Sequence, residues 1–344
     1  MSRKQFEEVL PEIVKELDEH IAKTNLTQVG RDWIKESIFH NTANGKLNRG
    51  LSVVDTYKLV TEQAELAGEE YKRCAILGWT VELLQAFFLV ADDIMDAAHT
   101  RRGVPCWYKT KGVGMVAIND AFIIESCIYI LLRKYFKGEP YYVDLLELYH
   151  DVTFDTELGQ LVDLITAPED NVDLDKFNLD KYFYIVTYKT AFYSFYLPVA
   201  LGLYMAGKAT SDNLRQCKEI LLPLGAYFQV QDDYLDCYGD PEVTGKIGTD
   251  IQDNKCGWLI NQALLHATRE QRVVLDANYA RKDSECEAKV KQVFNDIGVA
   301  DLYFKYEEET VASLKEAISK VDESQGLKKE VFTSFLSKIY KRQK

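Results

Sequence analysis

Apolar side chains recur at helical spacing almost from the first residue of the chain. Phe6, Val9, Leu10, Ile13, Val14, Leu17 and Ile21 fall on one face of a 3.6-residue period. Apolar-rich stretches of the same kind lie near residues 76–96, 119–136, 141–165, 181–206, 213–237, 254–268, 284–296 and 301–322. Clear period-two alternation, the mark of a half-buried strand, is absent. The breaks are short, as at residues 137–140, 167–171 and 238–241, and no Ser/Gly-rich linker or low-complexity tract divides the chain. The pattern predicts an all-α fold: a single domain over residues 1–344, a helical bundle of about ten or more helices around a central cavity. Pro198 and Pro223 fall inside apolar runs and are expected to kink them.

Charge narrows the function. The formal net charge is −13, which argues against broad electrostatic binding to nucleic acid or to an anionic membrane, while leaving room for a local basic pocket. Seven cysteines, an odd number without a C-x-x-C pair, read as reduced thiols of an intracellular protein. The N-terminal residues run directly into an amphipathic pattern and carry neither a signal-peptide core nor an Arg-rich transit peptide, so a cytoplasmic location is expected. Residues 190–207 form an 18-residue uncharged run, near the length of a membrane span. Pro198, Ser194 and three tyrosines within it favour a buried core helix, and no membrane span is expected.

One short pattern occurs twice. Phe88-Leu89-Val90-Ala91-Asp92-Asp93-Ile94-Met95-Asp96 is echoed by Phe228-Gln229-Val230-Gln231-Asp232-Asp233-Tyr234-Leu235-Asp236. On a helix, Asp92 and Asp96 share a face, as do Asp232 and Asp236. Crowded carboxylates repel one another, and a divalent cation relieves that repulsion. With oxygen donors alone and no His or Cys nearby in sequence, the donor set selects a hard cation such as magnesium, which keeps waters and takes substrate phosphates as further ligands. Basic residues follow each copy: Arg101 and Arg102 after the first, Lys246 and Lys255 after the second. Gly45-Lys46-Leu47-Asn48-Arg49-Gly50 adds two cations between glycines. In an acidic chain this reads as a site for a metal-bound polyanion.

The segments GKLNRG (45–50), LLQAFFLVADDIMD (83–96), HTRRG (99–103), TELGQLVDLITAPEDNVDL (156–174), YKTAFYSFYLPVA (188–200), YFQVQDDYLDCYGDPEVTGKIGTDIQDNK (227–255) and IYKRQK (339–344) together resemble the trans-isoprenyl diphosphate synthase family, in its eukaryotic, fungal-type form, over nearly the whole chain. The resemblance implies a magnesium-dependent prenyltransferase that condenses isopentenyl diphosphate with dimethylallyl diphosphate and then with geranyl diphosphate. It implies three Mg2+ per site with the diphosphate bound, and a homodimer. By the same resemblance, Asp92, Asp96 and Asp232 bind magnesium, supported by Asp93, Asp233 and Asp236. Arg101, Lys189, Lys246 and Lys255 hold the allylic diphosphate, and Lys46, Arg49, Gln85 and Arg102 hold isopentenyl diphosphate. Lys189, Thr190 and Gln229 line the reacting carbons, and Gln160 and Asp163 lie on the metal side of the pocket. The basic tail, residues 341–344, is expected to fold over the isopentenyl site.

Phe87 and Phe88 precede Asp92 by about one helical turn. The resemblance makes them the floor of the product cavity, matched to a 15-carbon chain; geranyl or geranylgeranyl diphosphate is the alternative product. Departures from the family pattern are Ala97-Ala98, Val104, Gly257, Ala280 and Gln343, with Gly257 expected inside a helix. A terpene cyclase has no use for a second diphosphate site. A non-catalytic regulatory subunit, the alternative of another class, would be expected to have lost aspartates that are all present here.

Overall fold

The computed structural model describes residues 3–43, 45–168, 171–244 and 248–342. The fold is all-α. The strand content among these residues is one antiparallel pairing of two short strands, Thr100–Arg101 with Val104–Pro105. The predicted breaks hold: helices Val116–Phe136 and Tyr142–Thr166 flank residues 137–140, and helix Ser211–Tyr238 ends where the Gly239-Asp240-Pro241 turn begins. All seven cysteines are free thiols.

The chain forms two compact units. The first comprises Met1–His150, Leu197–Ser211 and Gln325–Leu327. Its centre is helix Gly68–Met95, buried on every side from Cys74 to Phe87. A helix apolar all round must be enclosed, and this one packs against helices Gln28–Thr42, Asn48–Val60, Val116–Phe136 and Leu197–Met205. It crosses Asn48–Val60 at backbone contact: a Cβ on Gly50 would lie 2.8 Å from the Gly78 carbonyl oxygen, so glycine is required there. By length and composition the same helix could cross a membrane, yet 83% of its apolar window is buried inside the protein.

The second unit comprises Asp151–Tyr196, Asp212–Ser324 and Lys328–Lys344. Its core gathers Val230, Trp258, Leu259, Val290, Phe294 and Tyr303. The uncharged run flagged in the sequence splits: Val186–Tyr196 is a π-helix, and regular α-helix resumes at Leu197–Met205. Pro198 sits at the second position of the resumed helix, at the junction where the π-helical turns give way to α-helix. Helix Ser211–Tyr238 continues through Pro223.

Three of the unusual residues gain a physical account. Gly257 is not inside a helix; it is the extended N-cap of Trp258–His266, with φ −76° and ψ 168°. Ala97 and Ala280 both adopt left-handed backbone, with φ of 50° and 59°. A Cβ in that region meets the following carbonyl and costs about 1 kcal/mol. Ala280→Gly is therefore expected to stabilise the protein by about 1 kcal/mol in urea unfolding; an unchanged or lowered midpoint would contradict the strain.

Candidate active site

In the first unit the aspartate cluster ends helix Gly68–Met95, with Asp96 as its C-cap. Asp93 is buried, whereas Asp92 and Asp96 are half-exposed. The Arg101 guanidinium donates through Nε to Asp93 Oδ1 (2.7 Å) and through Nη2 to Asp92 Oδ2 (3.1 Å). Burial pushes the Asp93 carboxyl up, and the charge of Arg101 opposes that rise. The short hairpin presents this arginine. Arg102 and Gly103 both have positive φ (54° and 79°), the signature of a two-residue type I′ turn, and the register pairs Arg101 with Val104.

Arg102, at the tip, reaches the other way. Its Nη2 donates to Gln85 Oε1 (3.2 Å), and its guanidinium lies against Gly45, where a Cβ would come within 2.7 Å of Nη1. At the start of helix Asn48–Val60, Glu82 accepts the Gly50 N–H at 2.8 Å. Glu82 is only 4% exposed. Burial raises its carboxyl, and the nearby charges of Arg49 and Arg102 hold it down. Phe87 is buried and Phe88 half-buried, with ring centroids 5.0 Å apart.

The second unit repeats the plan with different partners. Asp233 is buried while Asp232 and Asp236 are half-exposed. Asp233 accepts the Trp258 N–H (2.8 Å) and the Gln229 side-chain amide (3.2 Å). It thereby caps the helix whose own N-cap, Gly257, has no side chain. Burial raises the Asp233 carboxyl, and the Trp258 N–H opposes it. Asp236 Oδ2 accepts the Asp250 N–H at 3.0 Å.

Asp163 gathers two lysines: Lys189 Nζ donates to its Oδ2 at 2.7 Å, and Lys255 Nζ lies 3.8 Å from the same oxygen. Lys189 and Thr190 sit in the π-helix, whose wider turn is a frequent feature of functional sites. A Cβ on Gly159 would overlap the Lys189 backbone, so the glycine lets the π-segment approach helix Tyr142–Thr166. From the tail, Arg342 donates to Asp232 Oδ1 (2.9 Å) and Gln231 Oε1 (2.6 Å), with its guanidinium 3.8 Å above the Phe228 ring.

The structure thus brings Arg101 to Asp92 and Asp93, Arg102 to Gln85, and Lys189 and Lys255 to Asp163. Lys246, Gln343 and Lys344 lie outside the described residues. Gln229 spends its amide N–H on Asp233, a contact the sequence did not suggest. Sequence reasoning also passed over Glu82, although it is the lone charge between Cys74 and Ala91. A carboxylate placed there needs a buried donor, and Gly50 with the two arginines supplies its surroundings. Among the described residues, no three His, Cys, Asp or Glu side chains converge into a ready metal cage. A surface groove of about 580 Å³ along Asp212, Arg215, Glu219 and Glu316 includes none of the predicted site residues.

The family model for polyprenyl synthetase matches residues 31–297. The farnesyl pyrophosphate synthase of Kluyveromyces lactis is 60% identical, across 100% of this chain and 99% of that enzyme. The farnesyl pyrophosphate synthase of Schizosaccharomyces pombe is also 60% identical, across 99% and 98%. A solved T. brucei farnesyl diphosphate synthase, complexed with the bisphosphonate BPH-722, superposes with a TM-score of 0.91 at 34% identity and covers both chains fully.

The contrast between middle and outer aspartates is measurable in the absence of any ligand. Asp233→Ala removes a helix cap and is expected to cost about 1–2 kcal/mol in urea unfolding. Asp232→Ala removes a part-exposed ion pair and is expected to cost less than about 1 kcal/mol. Equal losses would contradict the division of labour within the cluster.

Proposed function

The chain belongs to the polyprenyl synthetase family and is a prenyltransferase, and from that premise we propose that it makes the 15-carbon farnesyl diphosphate by adding isopentenyl diphosphate to dimethylallyl and then geranyl diphosphate. The observation that carries the proposal is the shared plan of the two aspartate clusters: a buried, bonded middle carboxylate and an outer pair that is half-exposed. The polyprenyl synthetase assignment is proposed for residues 1–344 as a whole, because each unit carries one cluster and its cations.

Enzymes of this family are generally magnesium-dependent. The donor set fits: carboxylate oxygens suit a hard cation, and a site short of a full protein cage suits magnesium, which completes its shell with phosphate and water. Asp92, Asp96 and Asp232 are the proposed ligands, for three ions with the diphosphate bound. Bound there, magnesium supplies charge neutralisation to the departing diphosphate.

The chain's own residues do the rest. Arg101, Lys189 and Lys255, with Lys246, hold the allylic diphosphate and stabilise the charge that grows on it as its C–O bond breaks. The electron pair leaves with the diphosphate. The Thr190 hydroxyl and the Gln229 amide oxygen, with Lys189 beside the reacting carbons, stabilise the allylic cation. Gln229 is oriented for this by its hydrogen bond to Asp233. Lys46, Arg49, Gln85 and Arg102 hold isopentenyl diphosphate so that its double bond attacks the cation. The new C–C bond forms, and the proton lost in regenerating an alkene passes to the departed diphosphate. Exclusion of water is essential, since water would quench the cation.

A homodimer and cytoplasmic residence complete the proposal. Free cysteines throughout support the second. For the first, helix Val116–Phe136 leaves Val116, Ile118 and Phe122 exposed, and helix Tyr142–Thr166 leaves Phe154, Leu161 and Ile165 exposed. Ile118 and Phe122 are one turn apart, and Phe154, Leu161 and Ile165 follow at two turns and one; exposed apolar stripes of this kind suit a self-complementary contact with a second copy.

Two experiments test this reading. Purified enzyme given isopentenyl diphosphate with either primer is expected to form a 15-carbon product, abolished by chelator, and Phe88→Ala is expected to lengthen it to 20 carbons. A wild-type product of 20 carbons would remove the aromatic floor while leaving the chemistry. Sedimentation is expected to show a dimer, shifted toward monomer by Phe122→Asp; a monomeric wild type would contradict the dimer.

A further inference from the structure

The five-residue helix Arg3–Glu7 lies outside the stretch that the family model matches, yet it is built into the first unit beside the proposed isopentenyl loop. Phe6 is fully buried and stacks on Trp79, with centroids 4.8 Å apart and planes 8° apart. The Trp79 indole N–H donates to the Phe6 carbonyl at 2.9 Å. The Phe6 ring also covers the glycine crossing: a Cβ on Gly50 would lie 2.6 Å from its Cζ, and one on Gly78 would lie 2.9 Å from its Cε2. One aromatic side chain therefore fixes this helix against the start of Asn48–Val60, next to Arg49.

Arg3 extends the brace to the other end of the loop. Its Nη2 donates to the Gly45 carbonyl at 2.7 Å, and its Nε donates to Glu7 Oε1 at 2.7 Å. Gly45 is buried, with the Arg102 guanidinium against its Cα. Leu47, two residues on, is buried in left-handed backbone with φ 56°, so the loop has little freedom to relax if Gly45 shifts. Glu7 neutralises Arg3. The contribution of Arg3 to the loop is consequently geometric rather than a net positive charge.

We propose that Arg3 is a positioning residue for isopentenyl diphosphate: it holds the Gly45 carbonyl so that Lys46, Arg49 and Arg102 converge on that diphosphate. The inference rests on the reading of those residues as the isopentenyl subsite. Small displacements of a positioned binding group are costly, and a hydrogen bond from a charged donor is stronger than a neutral one.

The test uses the full-length chain. KM for isopentenyl and for geranyl diphosphate are measured separately, together with thermal stability and calorimetric binding of isopentenyl diphosphate alone. Arg3→Ala is expected to raise KM and Kd for isopentenyl diphosphate by roughly 3- to 10-fold, with KM for geranyl diphosphate and the melting temperature unchanged. Arg3→Lys, which keeps a donor and the charge, is expected to restore most of the affinity. Lys4→Ala, which removes an exposed charge from the same helix, is expected to have no effect. Unchanged isopentenyl constants in Arg3→Ala would overturn the proposal. So would parallel losses for both substrates with a lowered melting temperature, or an equal effect from Lys4→Ala. Wild-type enzyme that fails to bind isopentenyl diphosphate at all would overturn the subsite reading itself and this inference with it.

Discussion

Repulsion among carboxylates is the constraint around which both aspartate clusters are built. Three aspartates within five residues of a helix end cannot all sit exposed on one stripe without cost. In each unit the protein withdraws the middle one and bonds it. Asp93 is satisfied by Arg101, and Asp233 by the Trp258 N–H and the Gln229 amide. The outer aspartates then remain half-exposed at i, i+4 spacing, oxygen donors of the kind that the proposed magnesium would use together with phosphate and water. The middle residues thus do structural work, while the outer ones meet solvent and exchangeable polar partners such as Arg101 on Asp92 and Arg342 on Asp232. In the second unit that work extends to capping a neighbouring helix in place of Gly257.

The cationic groups follow a related logic. Several are held by a carboxylate, a side-chain amide or a neighbouring backbone before any ligand arrives. Lys189 and Lys255 share Asp163; Arg101 spans Asp92 and Asp93; Arg102 rests on Gln85 and Gly45. Long side chains are otherwise entropically expensive to fix, so this preorganisation would lower the cost of the diphosphate grip proposed for them. Arg342 on Asp232 adds a cation from the C-terminal tail to the second cluster.

Much of this was legible in the sequence. Periodicity located the long helices because each must bury an apolar stripe, and the repeated Asp-Asp-x-x-Asp located both clusters because helical spacing is local. What periodicity could not show is what depends on contacts distant in sequence. Arg269–Asn278 buries only Leu275 and Asn278, too little for an apolar pattern, although its Thr268–Gln271 capping box was a readable signal. Arg101-Arg102 was readable as a basic pair, but the hairpin turn at Arg102-Gly103 was not, since its strands are two residues long. The π-helix over Lys189 and Thr190 looked like ordinary apolar helix, and the bare Gly159 that lets it come close lies 30 residues away. Gly257 looked like a helix defect because the carboxylate that replaces its missing cap comes from Asp233.

The central claim is that the outer aspartates bind metal together with the allylic diphosphate, while the middle ones hold the clusters in shape. Calorimetric titration of a non-ionisable geranyl diphosphate analogue, with magnesium and with chelator, tests it most directly in wild type and Asp92→Ala. The account predicts tight binding only with magnesium, and a loss of that magnesium enhancement in the variant while its fold is retained. Equal affinity with magnesium and with chelator, or an undiminished enhancement in Asp92→Ala, would contradict it.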